Sequence, residues 1–115
     1  MTKILFVCTA NAERSPTAEN IYANHPGLEV KSAGTDPNAR LQVSAEMIQW
    51  ADAVICMENH HLRNILEKYP DIISDKIIDH LNITDDYDYM SDALINIIKR
   101  KMDAWLHEYH RKQSF

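Results

Sequence analysis

Glycine is scarce in this chain of 115 residues, which contains only two, Gly27 and Gly34. The glycine-rich turns that bind nucleotides and dinucleotides need several closely spaced glycines, so the sequence excludes both motifs and argues against enzymes that use ATP or NAD. Basic residues are also few, with 12 Lys and Arg against 17 Asp and Glu and a net charge of -5. This charge is a poor match for a nucleic-acid backbone, and we expect no nucleic-acid partner.

Cysteine is limited to Cys8 and Cys56. Two cysteines build neither a disulfide framework nor a four-cysteine zinc site, and no CxxC or HExxH motif occurs. The sequence therefore predicts no metal centre and a reduced, cytoplasmic protein. No apolar run approaches the ~20 residues of a membrane-spanning helix, so we expect no membrane insertion. The length of the chain fits one domain over residues 1–115.

Hydrophobic patterning alternates along the chain between strand-like and helix-like segments. Continuous apolar runs are typical of strands that are covered on both faces, and apolar residues spaced by three or four indicate helices. The predicted strands cover residues 4–7, 28–33 and 53–57, with a weaker one within 76–81, and the predicted helices cover 16–24, 44–50, 62–69 and about twenty residues behind Ser91. This alternation predicts an α/β fold, a small doubly wound, flavodoxin-like, four-stranded parallel sheet with helices on both faces.

The start of the first helix is marked by Ser15 and Pro16. Serine is a favoured capping residue and proline is favoured at the first helical position, so we expect the helix to begin at Pro16 behind a Ser15 cap. Ligands of doubly wound folds bind beyond the carboxyl ends of the strands, where the strand order reverses. The loop between the first strand and this helix is therefore the predicted site.

That loop begins with a cysteine and ends with an arginine and a serine. Five residues between Cys8 and Arg14 allow backbone N–H groups to point inward and bind an anion at a helix N-terminus. Arg14 can donate to two phosphate oxygens, and the same positive field favours the thiolate of Cys8 as a nucleophile, with Ser15 as a donor to the sulfur. The predicted phosphate-binding residues are Thr9, Ala10, Asn11, Ala12, Glu13, Arg14 and Ser15.

Three motifs follow one another on matching elements: Cys-x5-Arg-Ser-Pro at 8–16, Ser-Ala-Gly-Thr at 32–35 and Ala-Asp-Ala-Val-Ile-Cys-Met at 51–57. Together they resemble the low-molecular-weight protein tyrosine phosphatases, and the chain looks like a short bacterial-type member. The resemblance implies a phosphomonoester hydrolase that needs no metal or cofactor and acts on phosphotyrosine proteins or small aryl phosphates. It also implies a phosphocysteine intermediate on Cys8, phosphate binding by Arg14 and a loop shaped by Asn11.

Such a mechanism needs a general acid on a second loop that faces the phosphate. Family members carry Asp-Pro-Tyr there, and this chain has Asp85-Asp86-Tyr87, so the resemblance assigns the acid to Asp85. Asp86 remains an open alternative, because one sequence cannot fix the register of a loop. Tyr87 and Tyr89 would then resemble the aromatic wall that stacks on a substrate ring.

The sequence departs from the family pattern at three places. Ala10 stands where glycine is usual, which would restrict the loop if that position needs a positive φ. Glu13 replaces a second cysteine, so a protective disulfide cannot form, and its charge opposes anion binding unless the side chain points to solvent. The chain is also shorter than typical members between Thr35 and Arg40, where relatives build part of the substrate rim.

Other functions remain open at this point. A catalytically weakened module that binds phosphate or phosphotyrosine is one, and an arsenate reductase, with Cys56 as the sole candidate for a relay, is another. A sugar-transport phosphocarrier also places a cysteine after its first strand, although Arg14 and the residues after it argue against this function. Cys56 is predicted to be buried and structural, and His60 and His61 to be surface or capping residues. The oligomeric state is open, with a monomer favoured.

Overall fold

The computed structural model describes residues 1–113, in which four strands and five helices follow one another. The strands are β1 (Thr2–Cys8), β2 (Leu28–Gly34), β3 (Ala53–Cys56) and β4 (Ile77–His80). The helices are α1 (Arg14–Tyr22), α2 (Ala45–Trp50), α3 (Asn59–Lys68), α4 (Pro70–Ile73) and α5 (Asp92–Gln113). The last two residues of the predicted domain, 114 and 115, lie outside the described residues.

The strands form one parallel sheet in the order β2-β1-β3-β4. Residues 4–7 of β1 are 0% exposed, because β1 has a neighbour on each side and helices above and below, which explains its continuous apolar run. The chain goes from β1 to β2 on one side and to β3 on the other, so the strand order reverses at the end of β1. The predicted flavodoxin-like α/β fold is confirmed.

Two apolar layers cover the sheet. Ile4 and Phe6 of β1 pack with α1 and α5, and Leu5 and Val7 pack with α2, α3 and α4 on the other face. The period-two alternation of β1 thus divides one strand between both layers. In α5, the buried residues recur at every fourth position: Leu94, Ile98, Met102 and Leu106. No helix within residues 1–113 has both the length and the apolar character that a membrane crossing requires.

Several helix boundaries differ from the sequence prediction. α1 begins at Arg14 rather than at Pro16, and Ser15 lies inside the helix instead of capping it. Its hydroxyl is 2.9 Å from the sulfur of Cys8. The side chain that the local sequence predicted as a helix cap therefore makes a tertiary contact instead. α3 begins at Asn59 rather than near residue 62, and it ends at Lys68, before Pro70, as expected. Pro70 then starts the short helix α4, which was not predicted, as proline suits the first helical turn.

Candidate functional site

Cys8 is the last residue of β1, and it is 2% exposed. Its Sγ atom lies 2.9 Å from Oγ of Ser15, one residue into α1. Glu13 precedes α1 and makes no side-chain capping hydrogen bond within residues 1–113, so its carboxylate does not cap the helix N-terminus. The sulfur therefore lies beside the end of the helix that favours negative charge.

The loop of residues 9–13 is held from outside through its carbonyl groups. Carbonyl oxygens of residues 8–11 accept hydrogen bonds from residues 35–40 over distances of 2.9 to 3.1 Å. Within residues 1–113, no amide N–H of residues 9–13 donates to a protein acceptor. A run of unpaired N–H groups beside a helix N-terminus is an anion-binding arrangement, because each group needs an acceptor that the protein does not provide.

Gly34 allows the second segment to approach this loop. A Cβ atom at position 34 would lie 2.7 Å from Cβ of Ala39 and would overlap the carbonyl oxygen of Thr9. No side chain fits between the end of β2 and the loop, so glycine is required here by close backbone approach.

Asn11 fixes the shape of the loop. It is buried with φ of 55°, a left-handed conformation that asparagine adopts more readily than most residues. Its Nδ2 donates to Oγ of Ser15 and to Oγ of Ser32, both over 2.9 Å. Ala10 is not among the described residues with positive φ, so alanine at this position does not strain the backbone.

Arg14 is 3% exposed and is held by acceptors that lie on two other loops. Its Nη1 donates to the carboxylate of Glu58 and, over 2.8 Å, to the carbonyl oxygen of Ile83. Nη2 is 3.5 Å from Oγ1 of Thr9. With Nη1 fully engaged, the Nε and Nη2 edge of the guanidinium is left to bind an anion.

His61 connects the phosphate-binding loop to α3. The backbone N–H of Glu58 donates to Nδ1 over 3.0 Å, so the proton of the neutral ring is on Nε2, which is 2.8 Å from Oγ1 of Thr9. His61 is 0% exposed. Burial, followed by the positive charges of His60 and Arg14, lowers the pKa of His61 from 6.5 to about 3. The ring is therefore a neutral donor to the loop at physiological pH.

Glu58 is the ionised partner of Arg14. Partial burial by itself would raise its pKa, but hydrogen bonds from Arg14 and His60, with the charges of both, outweigh burial and leave the pKa below its ordinary value. Potential ligand atoms of Glu58, His60 and His61 lie within 4.8 Å of one another. Both ring nitrogens of His61 are already hydrogen-bonded and the Glu58 carboxylate is paired with Arg14, so this cluster offers a metal ion no free set of ligands.

The loop after β4 carries the two candidate acids, and both are exposed. Oδ2 of Asp86 accepts a hydrogen bond of 2.8 Å from Oγ1 of Thr84, whereas the Asp85 carboxylate has no hydrogen-bond or ion-pair partner in residues 1–113. This loop is joined to the site through the carbonyl of Ile83, which accepts from Arg14. Asp85 is thus two residues from a fixed contact with the anion-binding arginine.

The two candidate wall residues have different surroundings. Tyr87 is half-buried and packs against the apolar layer between the sheet, α1 and α5. Tyr89 is 51% exposed and lines a groove together with Ala12 of the loop. There is therefore open space between Tyr89 and the loop, where a substrate ring could contact the tyrosine.

Three residues of this arrangement were missed in the sequence: Glu58, His61 and Arg40. The interpretation of His61 as surface or capping is half right, since it caps α3 but is fully buried against the loop. Glu58 could have been found, because it follows β3 and the carboxyl ends of neighbouring parallel strands meet at one edge of the sheet. No local signal marks Arg40, whose Nε donates to the carbonyl of Asn11 over 3.1 Å.

Comparison with known proteins points to one family. The family model described as low molecular weight phosphotyrosine protein phosphatase matches residues 3–49. A protein-arginine-phosphatase of Geobacillus stearothermophilus is 34% identical, and the alignment covers 60% of this chain and 63% of that protein. The low molecular weight protein-tyrosine-phosphatase Wzb of Salmonella typhi is 27% identical over 97% of both chains.

The fold agrees with solved structures. The YwlE arginine phosphatase from Geobacillus stearothermophilus superposes with a TM-score of 0.71 at 25% identity, covering 100% of this chain and 99% of that one. The similarity therefore extends over α1 to α5 and all four strands, as described for residues 1–113.

Proposed function

We propose that the chain is a member of the low molecular weight phosphotyrosine protein phosphatase family, whose model matches residues 3–49. We further propose that it hydrolyses phosphomonoesters without a metal, with phosphotyrosine on proteins as the main substrate class, as the name of its Salmonella typhi relative suggests. The observation that carries the proposal is the run of unpaired amide groups at residues 9–13, beside the Cys8 sulfur and the free edge of Arg14. This set of donors matches the oxygens of a phosphoryl group next to a nucleophile.

In the first step the Cys8 thiolate attacks phosphorus. The sulfur–phosphorus bond forms as the bond to the phenolic oxygen breaks, and the electron pair leaves with that oxygen. The Ser15 hydroxyl, 2.9 Å from the sulfur, can donate to the thiolate, and the loop amides and Arg14 bind the oxygens on which charge develops. The product on the enzyme is phosphocysteine at Cys8.

Asp85 is the proposed general acid for this step. It gives its proton to the departing oxygen, then takes a proton from the water that attacks phosphocysteine. The sulfur–phosphorus bond breaks, the thiolate is restored and inorganic phosphate leaves. The unpaired carboxylate of Asp85 supports this assignment, since the Asp86 carboxylate already accepts from Thr84. Tyr87 and Tyr89 remain the proposed residues beside the substrate ring.

Phosphoarginine on proteins is the second candidate substrate. The observation in its favour is the 34% identity to a protein-arginine-phosphatase, together with the fold similarity to YwlE. Arsenate reduction has less support, because it needs a second thiol. Cys56 is fully buried in the layer of α2, α3 and α4, whereas Cys8 belongs to the opposite layer.

We further propose a single-domain, monomeric, cytoplasmic protein whose partners are its phosphorylated substrates. Both Cys8 and Cys56 are free thiols, which suits a reducing compartment. Light scattering of the purified protein at micromolar concentration tests the monomer, and a dimer there contradicts it.

The deciding experiment is hydrolysis of p-nitrophenyl phosphate in excess EDTA by the wild type, Cys8→Ser and Cys56→Ala. We expect turnover by the wild type and by Cys56→Ala, and none by Cys8→Ser, because serine keeps the shape of the side chain but not the thiolate. A phosphotyrosine peptide and a phosphoarginine peptide, compared by kcat/KM, rank the two substrate classes.

Persistent turnover by Cys8→Ser would rule out the phosphocysteine mechanism. Absence of turnover in all three proteins, with vanadate still bound by the wild type, would instead identify a phosphate-binding module.

A further inference from the structure

An open groove of about 540 Å³ begins at the loop of residues 9–13 and follows one side of α1. Ala12 forms its loop end, and Pro16 and Glu19 lie along the helix. Arg40 and Tyr89 line it from other segments of the chain. This volume is within the range of clefts that bind small molecules, although the groove is open to solvent. A phenyl phosphate is far smaller, so the groove offers room for substrate groups beyond the phosphorylated ring.

Arg40 is held in a fixed position beside the loop. Its backbone N–H donates to the carbonyl of Ala10 over 3.0 Å, and its Nε donates to the carbonyl of Asn11 over 3.1 Å. Because Nε is engaged, the side chain is oriented while its two Nη groups stay available. An arginine that is oriented before binding loses less conformational entropy when it binds a ligand.

The charge of Arg40 is not neutralised by a neighbour. Within residues 1–113, Arg14 pairs with Glu58 and Arg111 with Glu108, whereas Arg40 makes no ion pair. Arg40 therefore presents a cationic fork whose geometry matches a carboxylate.

The groove also contains one acid, which limits where an anionic ligand can lie. Glu19 lines the groove on α1, and its Oε1 accepts a hydrogen bond of 2.6 Å from Ser32. A carboxylate that lies along the helix near Glu19 would be repelled, so the favourable position is the end of the groove near Arg40 and Ala12. That end adjoins the phosphate-binding loop.

We propose that Arg40 is a specificity-determining residue, which binds an acidic side chain next to the phosphorylated residue of a protein substrate. The inference rests on the proposed function only for the identity of the phosphorylated residue. The groove is then the part of the site that distinguishes a phosphorylated acidic segment from a small aryl phosphate, which carries no acidic side chain for Arg40.

Binding to Cys8→Ser protein tests the inference without needing turnover. The probes are a fluorescent phosphotyrosine peptide with aspartate on both sides of the phosphotyrosine and a matched peptide with asparagine at those positions. We expect about three- to tenfold tighter binding of the aspartate peptide, the range for a partly exposed, hydrogen-bonded pair of opposite charges. Adding Arg40→Gln should bring this ratio close to one, and adding Arg40→Lys should give an intermediate ratio, because lysine lacks the planar fork.

Arg63→Gln is the matched control, since Arg63 is an exposed residue of α3 outside the groove and loses the same unit of charge. It should retain the ratio of the parent protein. The inference would be overturned if Cys8→Ser bound the two peptides equally well or bound neither. It would also be overturned if Arg40→Gln and Arg63→Gln lowered the affinity ratio equally, because that would show a long-range charge effect. Wild-type hydrolysis of p-nitrophenyl phosphate is measured separately. Lost turnover with the ratio intact counts against the proposed function and supports the role of Arg40.

Discussion

The buried His61 gives the protein a pH-dependent stability that an exposed histidine would not produce. Its pKa in the folded protein is about 3, below the ordinary value of 6.5, mainly because the ring is buried. Between these two pH values the unfolded chain binds a proton that the folded chain does not. The stability contributed by the neutral ring is therefore complete above pH 6.5 and is lost as the pH falls toward 3.

The size of the effect follows from the same two values. Each factor of ten in proton affinity corresponds to about 1.4 kcal/mol, so lowering the pH from 7 to 5 removes about 2 kcal/mol of unfolding free energy through this one ring. The structure supplies the cause, since a proton on Nδ1 would displace the hydrogen bond from the Glu58 amide and add a charge near Arg14.

Urea unfolding at pH 7 and pH 5 measures this contribution in the wild type and in His61→Gln. We expect the wild type to lose about 2 kcal/mol more than the variant between the two pH values. His107→Gln, an exposed change on α5, is the control and should follow the wild type. Equal losses in all three proteins, or a His61 ring that titrates near pH 6.5 by NMR in the intact wild type, would refute the reasoning.

The other predictions concern the acid and the glycine beside the loop. Asp85→Asn should slow substrates with poor leaving groups about 100-fold and p-nitrophenyl phosphate much less, because a good leaving group needs little protonation; a larger effect in Asp86→Asn would reassign the acid. Gly34→Ala should lower the unfolding free energy by about 1 to 3 kcal/mol, since its Cβ meets Ala39 at 2.7 Å and the Thr9 carbonyl; an unchanged urea midpoint would contradict this.

The fold could be predicted from the sequence because its signals are local. The continuous apolar run of β1 and the four-residue spacing in α5 each lie within one element, and parallel strands joined by helices allow few arrangements. The loop containing Cys8 and Arg14 was found for the same reason, since its spacing is contained in eight residues.

The remaining site residues could not be predicted because distance along the chain hides their contacts. Thr9 and His61 are 52 residues apart, and no sequence motif around either residue indicates that their side chains are in contact. Ser15 shows the opposite error, since its position before a proline indicated a cap, but the hydroxyl is used by Cys8 and Asn11. Tertiary contacts override the local preference where polar groups are buried.

The anchoring of Arg14 also has a consequence for how the protein matures. Two of its acceptors, Glu58 and Ile83, are 44 and 69 residues further along the chain, on the loops that follow β3 and β4. A nascent chain that ends before Ile83 lacks one of these acceptors. The Arg14 guanidinium is then not held by both loops, even if β1 and α1 have formed. The full affinity for phosphate therefore depends on the loop after β4, and an oxyanion bound at the site stabilises the folded protein over partly folded forms that lack this loop. The melting temperature should accordingly be higher in phosphate buffer than in a buffer that does not bind the site.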